Sequence, residues 1–310
     1  MSVLSAPHFH NEEAAYQYVE ERLWPNGPVC PHCGGVERIG KMGGKSTRIG
    51  TYKCYQCRKP FTVKVGTIFE SSHVSMRHWL QAMYLMASSK KGISANQIHR
   101  LLGCTLKTGW FIEHRLREAM RDGELAPFGG GGGIVEMDET FWGRDPDALP
   151  RKMAIRTMNA VLTLVERGGR TRSIVMPVDN LNAAEIAAIL TANVSREARL
   201  MTDEGRHYAP AGKLQADHQT VAHGRGEYVR RQEPEVHSNT VEGFYSIFKR
   251  GMRGVYQHCS KKHLHRYAAE FDFRYSNRVA LGVDDVARAD IMLAGVVGRR
   301  PTYRLPDGTQ

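Results

Sequence analysis

The second half of the chain alternates short apolar runs with polar or glycine-containing breaks. Four runs have the length and composition of β-strands: residues 134–141, 160–165, 172–178 and 198–202. Gly168-Gly169 fits a hairpin turn between the second and third runs. A helical pattern separates the last two runs; it begins at Asn182 and has Glu185 three residues later, as in a capping box. The pattern therefore predicts three strands, a helix over residues 183–190, and a further strand.

This order predicts an α/β domain of the ribonuclease-H-like class, with a mixed sheet and flanking helices. In open sheets, functional sites gather at strand ends. Asp138 and Asp203 lie at the ends of the first and fourth runs, and Glu242 lies in a later helical run. Carboxylate oxygens bind hard cations such as Mg²⁺, and three convergent carboxylates suit a two-metal site for phosphoryl transfer. We therefore expect these three side chains to form a site.

The helical run that carries Glu242 also carries basic residues. Positions seven apart lie about two turns apart on one helix face, so Glu242, Ser246 and Lys249 line up. This face offers a metal-binding carboxylate and a cation for the substrate backbone. Asn239, three residues before Glu242, is the alternative third ligand. The other nearby acids are interpreted as solvated neighbours: Glu136, Glu139 and Glu204.

Two cysteine pairs stand near the N-terminus at zinc-ribbon spacing. Each pair is a C-x2-C motif: Cys30 with Cys33, and Cys54 with Cys57. Four thiolates close a tetrahedral structural site, so we expect one Zn²⁺. The alternatives are a coincidence of two pairs or a redox dithiol. Cys104 and Cys259 are interpreted as ordinary reduced thiols.

Residues 76–120 show helical periodicity. Residues 93–102 and 106–112 predict two short helices, and Gly103 lies in the turn between them. This arrangement is typical of a helix-turn-helix, whose second helix would present Lys107, Thr108 and His114 to the major groove. An ordinary helical hairpin is the alternative.

Five consecutive glycines, Gly129 to Gly133, precede the first strand. Such a run loses much entropy inside a regular element, so it predicts a flexible boundary. The division that follows is an N-terminal helical segment (1–24), a zinc ribbon (25–70), a helix-turn-helix region (71–127), a glycine linker (128–133), the ribonuclease-H-like domain (134–280) and a C-terminal tail (281–310).

The charge balance indicates a polyanionic partner. The chain has 310 residues with 43 Lys+Arg against 32 Asp+Glu, a formal charge of +11. This excess attracts nucleic acid. We find no apolar run long enough for a membrane helix and no signal-peptide pattern, so we expect a cytoplasmic, nucleoid-associated protein with no membrane partner.

The segment from His237 to Arg250 reads HSNTVEGFYSIFKR, and it is followed by Gly254-Val255-Tyr256 and by residues 273–278, FRYSNR. This signature resembles the C-terminal part of the ISXO-two-like, or Merlin-like, insertion-sequence transposases. The resemblance covers nearly the whole chain, because zinc ribbon, helix-turn-helix and DDE domain follow in that order.

The resemblance implies a D,D,E triad at Asp138, Asp203 and Glu242, with Lys249 as the partner of the Glu-x6-Lys pattern. Some relatives have Asn at the third position, whereas this chain has Glu. The segment around His218 and His223 also resembles the family, and these histidines would contact the scissile phosphate or leaving group; structural roles are the alternative. The implied activity is transposition: binding of terminal inverted repeats in double-stranded DNA, cleavage with two Mg²⁺ (or Mn²⁺) ions, and strand transfer by at least a dimer.

Residues 244–278 hold eight Lys/Arg against two Asp/Glu, interleaved with aromatic residues. Arg250, Lys261 and Lys262 are the candidates for contact with the DNA backbone. The sequence leaves two rival functions open. One is a zinc-containing DNA-binding regulator without catalysis, and the other is a ribonuclease-H-like nuclease without strand transfer.

Overall fold

A computed structural model describes residues 2–121, 123, 126–144 and 157–299. The chain divides into two compact units: unit 1 comprises Met1–Arg121 and Asp284–Gln310, and unit 2 comprises Asp122–Val283. The last part of the expected C-terminal tail, residues 300–310, lies outside the described residues. Among the described residues, no helix combines the length and apolar character that crossing a membrane requires.

The helices and strands have the following bounds. The helices are α1 (Glu12–Leu23), α2 (Met76–Ser88), α3 (Ala95–Leu102), α4 (Leu106–Met120), α5 (Ala183–Asn193), α6 (Tyr208–Gly212), α7 (Asn239–Gly251), α8 (Lys261–Ser276) and α9 (Asp285–Ala294). The strands are β1 (Ile39–Lys41), β2 (Tyr52–Cys54), β3 (Pro60–Phe61), β4 (Ile134–Arg144), β5 (Met158–Glu166), β6 (Thr171–Pro177), β7 (Arg199–Asp203) and β8 (Asp217–Val221).

Unit 2 is built on a mixed sheet. Over its described residues the strand order is β6-β5-β4-β7-β8. Strands β4, β5 and β6 are antiparallel neighbours, whereas β7 pairs in parallel with both β4 and β8. Asn182 caps α5 by accepting hydrogen bonds from the backbone N–H groups of Ala184 and Glu185. The predicted mixed sheet with flanking helices is confirmed.

Each face of this sheet is covered by helices, because alternate side chains of the central strands are apolar on both faces. Ala160, Leu162 and Leu164 of β5 pack with the α5 and α6 side. Val161 and Val165 of the same strand pack against α7 and α8. The helix that carries Glu242 is therefore held against the same sheet that carries Asp138 and Asp203.

Unit 1 combines a small cysteine-rich sheet with helices. Strands β1, β2 and β3 pair in antiparallel order, and Trp24, Tyr52 and Phe61 form an aromatic cluster beside them. Helix α3 begins with a full capping box between Ser94 and Gln97. It ends at Gly103, whose φ of +62° is the left-handed conformation that glycine tolerates. Two helices joined by a tight turn thus occupy the predicted helix-turn-helix region.

The C-terminal residues differ from the expected tail. Helix α9 packs against α1, α2 and α4 within unit 1. Asp290 accepts hydrogen bonds from Tyr18 Oη at 2.7 Å and from Arg22 Nε at 2.6 Å. Met292 and Leu293 are buried. The last helix is therefore part of the N-terminal unit, although about 160 residues of unit 2 separate the two in the sequence.

The glycine run also differs from the expected flexible linker. Phe128 is fully buried and exchanges backbone hydrogen bonds with Asn193 and Ser195. Gly129 donates its N–H to Glu166 and Gly131 donates to Glu197. Gly129 has a φ of +73°, and a Cβ there would lie 2.5 Å from the Ala198 Cβ. The glycines therefore allow a close turn against the sheet.

Candidate metal centres and active site

The four cysteines of the N-terminal ribbon come together. All four Sγ atoms lie within 4.8 Å of one another. The Cys30 and Cys57 Sγ atoms are 3.6 Å apart, and those of Cys33 and Cys54 are 3.7 Å apart. A tetrahedral ion with Zn–S bonds of about 2.3 Å places its sulfur ligands roughly 3.8 Å apart. The site therefore fits one structural Zn²⁺, and the expected zinc ribbon is confirmed.

Asp138 and Asp203 lie on adjacent parallel strands. The β4–β7 pairing aligns Ile134 with Arg199 and Glu136 with Met201, a constant offset along the two strands. Extending this offset by two residues brings Asp138 opposite Asp203 at the end of β7, and the charge of Asp203 does act on Asp138. Parallel neighbours in register point to the same face of a sheet, so the two carboxylates lie on the face covered by α7.

Glu242 projects from the first turn of α7 and is held by two neighbours. Its Oε1 lies 3.3 Å from His223 Nδ1 and 3.3 Å from the Ser238 hydroxyl. The other His223 nitrogen, Nε2, lies 2.9 Å from the same hydroxyl. His223, a supporting candidate from the sequence, thus contacts the proposed third carboxylate. By contrast, His218 lies on β8 with its Nε2 2.9 Å from Thr202 Oγ1.

The surroundings of Asp138 disfavour its charged form. Burial is the largest cause that raises the pKa of Asp138 to about 7, and the negative charge of Glu139 acts in the same direction. A hydrogen bond from the Glu139 N–H, at 2.8 Å, acts in the opposite direction. The charges of Asp203 and Glu242 add to the increase. Negative charge is therefore concentrated around Asp138.

This donor set fits a divalent cation. Carboxylate oxygens are the ligands that Mg²⁺ and Mn²⁺ prefer, and a cation would offset the mutual repulsion around Asp138. Among the described residues, the four cysteines are the group whose ligand atoms are already within 4.8 Å of one another. The three carboxylates are less tightly clustered, and Glu242 is turned towards His223 and Ser238.

The remaining candidates on α7 and α8 are distributed over the surface of unit 2. Lys249 is half-buried, with its Nζ 5.9 Å from the centre of the Tyr245 ring. Arg250 and Lys262 are exposed, and Lys261 is half-buried in the first turn of α8. Asn239, the alternative third ligand, is exposed at the start of α7.

The three helix-turn-helix candidates differ in their exposure and contacts. Lys107 is exposed on the first turn of α4. Thr108 donates its N–H to the Thr105 hydroxyl and takes part in the cap of that helix. His114 is only 4% exposed and its ring lies 3.9 Å from that of Trp110. Because the His114 side chain faces the interior, His114 is no longer a candidate for contact with a DNA groove.

Sequence reasoning misplaced two acidic residues. Glu136, expected as a solvated neighbour, is fully buried and binds both Arg167 and the start of α7. Glu139 is half-buried, accepts a hydrogen bond from the Tyr208 hydroxyl and lies 3.6 Å from His207. Glu204 is exposed, as expected. The alternation of the strand is a signal that could have shown Glu136 on the same face as Asp138.

A buried tyrosine was also missed. The Tyr245 hydroxyl donates to the backbone oxygen of Asp138 at 2.5 Å and lies 3.0 Å from that of Val161. This tyrosine joins α7 to both central strands. Its position three residues after Glu242 is the helical spacing that brings both side chains towards the sheet.

Comparison with known proteins agrees with this architecture. A family model described as an ISXO2-like transposase domain matches residues 131–276. A second, described as a transposase zinc-ribbon domain, matches residues 10–60. A protein of Halobacterium salinarum described as an uncharacterized protein in transposable element ISH50 is 29% identical over 285 residues, which cover 86% of this chain and 91% of that protein. Residues 131–276 therefore form an ISXO2-like transposase domain, and residues 10–60 form a transposase zinc ribbon.

Proposed function

We propose that this protein is an active transposase of a bacterial insertion sequence. It binds the terminal inverted repeats of its element, hydrolyses phosphodiester bonds to free 3′-hydroxyl groups, and joins these ends to target DNA. One observation carries the proposal: Asp138 and Asp203 lie on adjacent parallel strands, Glu242 projects from the helix that packs on the same sheet, and the charges of Asp203 and Glu242 both act on Asp138.

Asp138, Asp203 and Glu242 are the residues that would hold the divalent cations, Mg²⁺ or Mn²⁺, two per site. When bound, these ions supply activation of the attacking water or 3′-hydroxyl and stabilisation of the leaving oxygen. The intact acidic set favours an enzyme over a DNA-binding regulator, because a regulator has no need of three carboxylates around one sheet edge.

The protein's own groups orient the reacting parts. Tyr245 holds the backbone of Asp138, and His223 with Ser238 orients Glu242. Lys249 lies two turns beyond Glu242 on α7 and supplies a positive charge for the backbone of the DNA end. Such positioning confines the scissile phosphate to the site without a covalent protein–DNA bond.

DNA recognition is assigned to unit 1 and to basic side chains of unit 2. Lys107 and Thr108 at the start of α4 would contact the element end, and Arg250, Lys261 and Lys262 would contact the backbone. The zinc ribbon stabilises unit 1, because a structural zinc site contributes directly to folding. Since two element ends must be cut together, we propose at least a dimer on DNA.

The test is incubation of the full-length protein with a labelled element end and Mg²⁺. A transposase yields both nicked ends and products joined to a second DNA, whereas a nuclease yields only the cut ends. A regulator binds the ends and leaves them intact. A second variant, Lys249→Ala, should fold like the wild type but bind the DNA end more weakly. Absence of cleavage with either Mg²⁺ or Mn²⁺ would exclude the proposed activity.

A further inference from the structure

A buried carboxylate ties the first strand of the catalytic sheet to the helix that carries Glu242. Glu136 lies on β4 two residues before Asp138, so both side chains point to the same face. Glu136 is fully buried, yet 104 residues along the chain separate it from its hydrogen-bond partner Thr240. A buried carboxylate is stable only where hydrogen bonds and positive charge compensate its lost hydration.

Both kinds of compensation are present. Glu136 Oε2 accepts the backbone N–H of Thr240 at 2.8 Å and that of Val241 at 2.9 Å. Its Oε1 accepts the Thr240 hydroxyl at 2.7 Å and Arg167 Nε at 2.6 Å. The positive end of the α7 dipole also points at this carboxylate. Glu136 therefore binds the first turn of α7 through its backbone.

This contact replaces an ordinary helix cap. The first N–H groups of a helix lack partners within it, and a Ser at the N-cap position commonly accepts one of them. Ser238 occupies that position but makes no such bond. Its hydroxyl instead contacts Glu242 and His223. Because Glu136 accepts hydrogen bonds from the first N–H groups of α7, the Ser238 hydroxyl is available to orient the proposed metal ligand Glu242.

Helix α7 is thus attached to β4 at two points that bracket Glu242. Glu136 holds Thr240 and Val241 on one side, and Tyr245 holds the Asp138 backbone on the other. A displacement of the first turn would move Glu242 relative to Asp138. Arg167 strengthens the first attachment, because its Nη2 donates a hydrogen bond to the backbone oxygen of His237, just before α7.

We infer that Glu136 is a positioning residue of the divalent-metal site: it sets the distance between Asp138 and Glu242 by capping α7 from the neighbouring strand. The inference rests on the proposed function, since it takes these two carboxylates as ligands. Glu136 itself is occupied by its donors and is not a ligand.

The test measures Mn²⁺ binding to the full-length protein by the loss of the free-ion electron paramagnetic resonance signal, alongside DNA cleavage. Glu136→Gln keeps the size of the side chain but places an NH₂ group against N–H donors on one side. We expect about 10- to 100-fold weaker Mn²⁺ binding, the usual effect of losing a group that orients metal ligands. Cleavage should need correspondingly more Mn²⁺, and binding of the element end without added Mg²⁺ or Mn²⁺ should be unchanged.

Asp272→Asn is the matched control. Asp272 is also a buried carboxylate that joins a helix to a strand of this sheet, accepting the N–H and hydroxyl of Ser173, each at 2.7 Å. These two hydrogen bonds join α8 to β6 rather than α7 to β4. Asp272→Asn should therefore lower the unfolding temperature without changing Mn²⁺ affinity. Thr240→Val, which removes one hydroxyl donor and keeps the backbone cap, is the second variant and should weaken Mn²⁺ binding by roughly threefold to tenfold.

The outcomes are distinct. Wild-type Mn²⁺ affinity in a folded Glu136→Gln variant overturns the inference, as does equal weakening by Asp272→Asn. If Glu136→Gln does not fold, wild-type affinity in Thr240→Val overturns it. Metal binding that depends on Glu242 and Glu136 in a protein that cuts no DNA supports the positioning role and refutes only the transposase activity. A wild-type protein that binds no Mn²⁺ refutes both.

Discussion

Replacing Asp138 with Asn should stabilise unit 2 in metal-free protein at neutral pH. Burial and the neighbouring charge of Glu139 raise the pKa of Asp138 from its ordinary 3.8 to about 7. The charged carboxylate is therefore disfavoured in the folded protein relative to the unfolded chain. Asn is uncharged, and its side-chain oxygen can still accept the Glu139 N–H that bonds to Asp138 Oδ1. The substitution removes the unfavourable charge and keeps the local hydrogen bond.

The magnitude follows from linkage between proton binding and folding. The difference between 3.8 and about 7, at about 1.4 kcal/mol per pH unit, corresponds to a destabilisation of roughly 4 kcal/mol at most. Below about pH 4 both states are protonated and the destabilisation vanishes. As pH rises towards 7 the folded state holds a proton that the unfolded state has lost, so wild-type stability falls. Between pH 5 and pH 8 the advantage of the variant should grow by roughly 2–3 kcal/mol.

Hydrogen exchange of the full-length protein without added Mg²⁺ or Mn²⁺ measures this effect within unit 2. Amides of β5, whose interior residues are all buried, report the stability of the sheet after correction for intrinsic exchange rates. Glu204→Gln, at an exposed neighbouring position, is the control and should stay within about 0.5 kcal/mol of wild type. Added Mg²⁺ should stabilise wild type more than the Asn variant. An advantage that is independent of pH, or that shrinks as pH rises, would refute the reasoning.

Three further predictions concern catalysis, zinc and the C-terminal helix. Asp203→Asn and Glu242→Gln should each abolish cleavage of a labelled end while end binding persists, because a neutral amide cannot balance a divalent cation. Near-normal cutting by Glu242→Gln, together with an inactive Asn239→Ala variant, would instead assign the third ligand to Asn239. Purified protein should contain about one Zn²⁺ by metal analysis, and Cys54→Ser should lose it; a folded, zinc-free ribbon would contradict this. Gly295→Ala should destabilise unit 1 by about 1–3 kcal/mol in thermal unfolding, because a Cβ there would lie 2.2 Å from the Ala119 backbone oxygen. An unchanged unfolding temperature would show that α9 can shift to make room for the added methyl group.

Features set by short stretches of chain could be predicted from the sequence. The spacing of Cys30, Cys33, Cys54 and Cys57 sufficed for the zinc site, because two knuckles and one hairpin bring the thiolates together. Strands β4 to β7 and helix α5 were also predicted, since apolar periodicity and the Asn182 cap act over a few residues, whereas the more polar β8 was missed. The order of these elements was enough to place Asp138 and Asp203 on neighbouring strands.

Directions of individual side chains were harder to predict. Periodicity left His114 among the residues of α4 that could face DNA, but the helix packs with that side inward. The glycine run was expected to be flexible, whereas hydrogen bonds to Glu166 and Glu197 hold it against the sheet. In both cases the deciding contacts come from parts of the chain that no local pattern identifies.

The sequence by itself determined the cysteines that fit zinc and the strands β4 to β7, because these depend on spacing within short segments. Tertiary structure alone decided that Glu136 is buried and caps α7, that His223 rather than His218 contacts Glu242, and that α9 belongs to unit 1. Burial and hydrogen bonding of such groups depend on partners up to hundreds of residues away. A buried charge and a solvated one look alike in a sequence, and they differ only once the fold brings those partners to them.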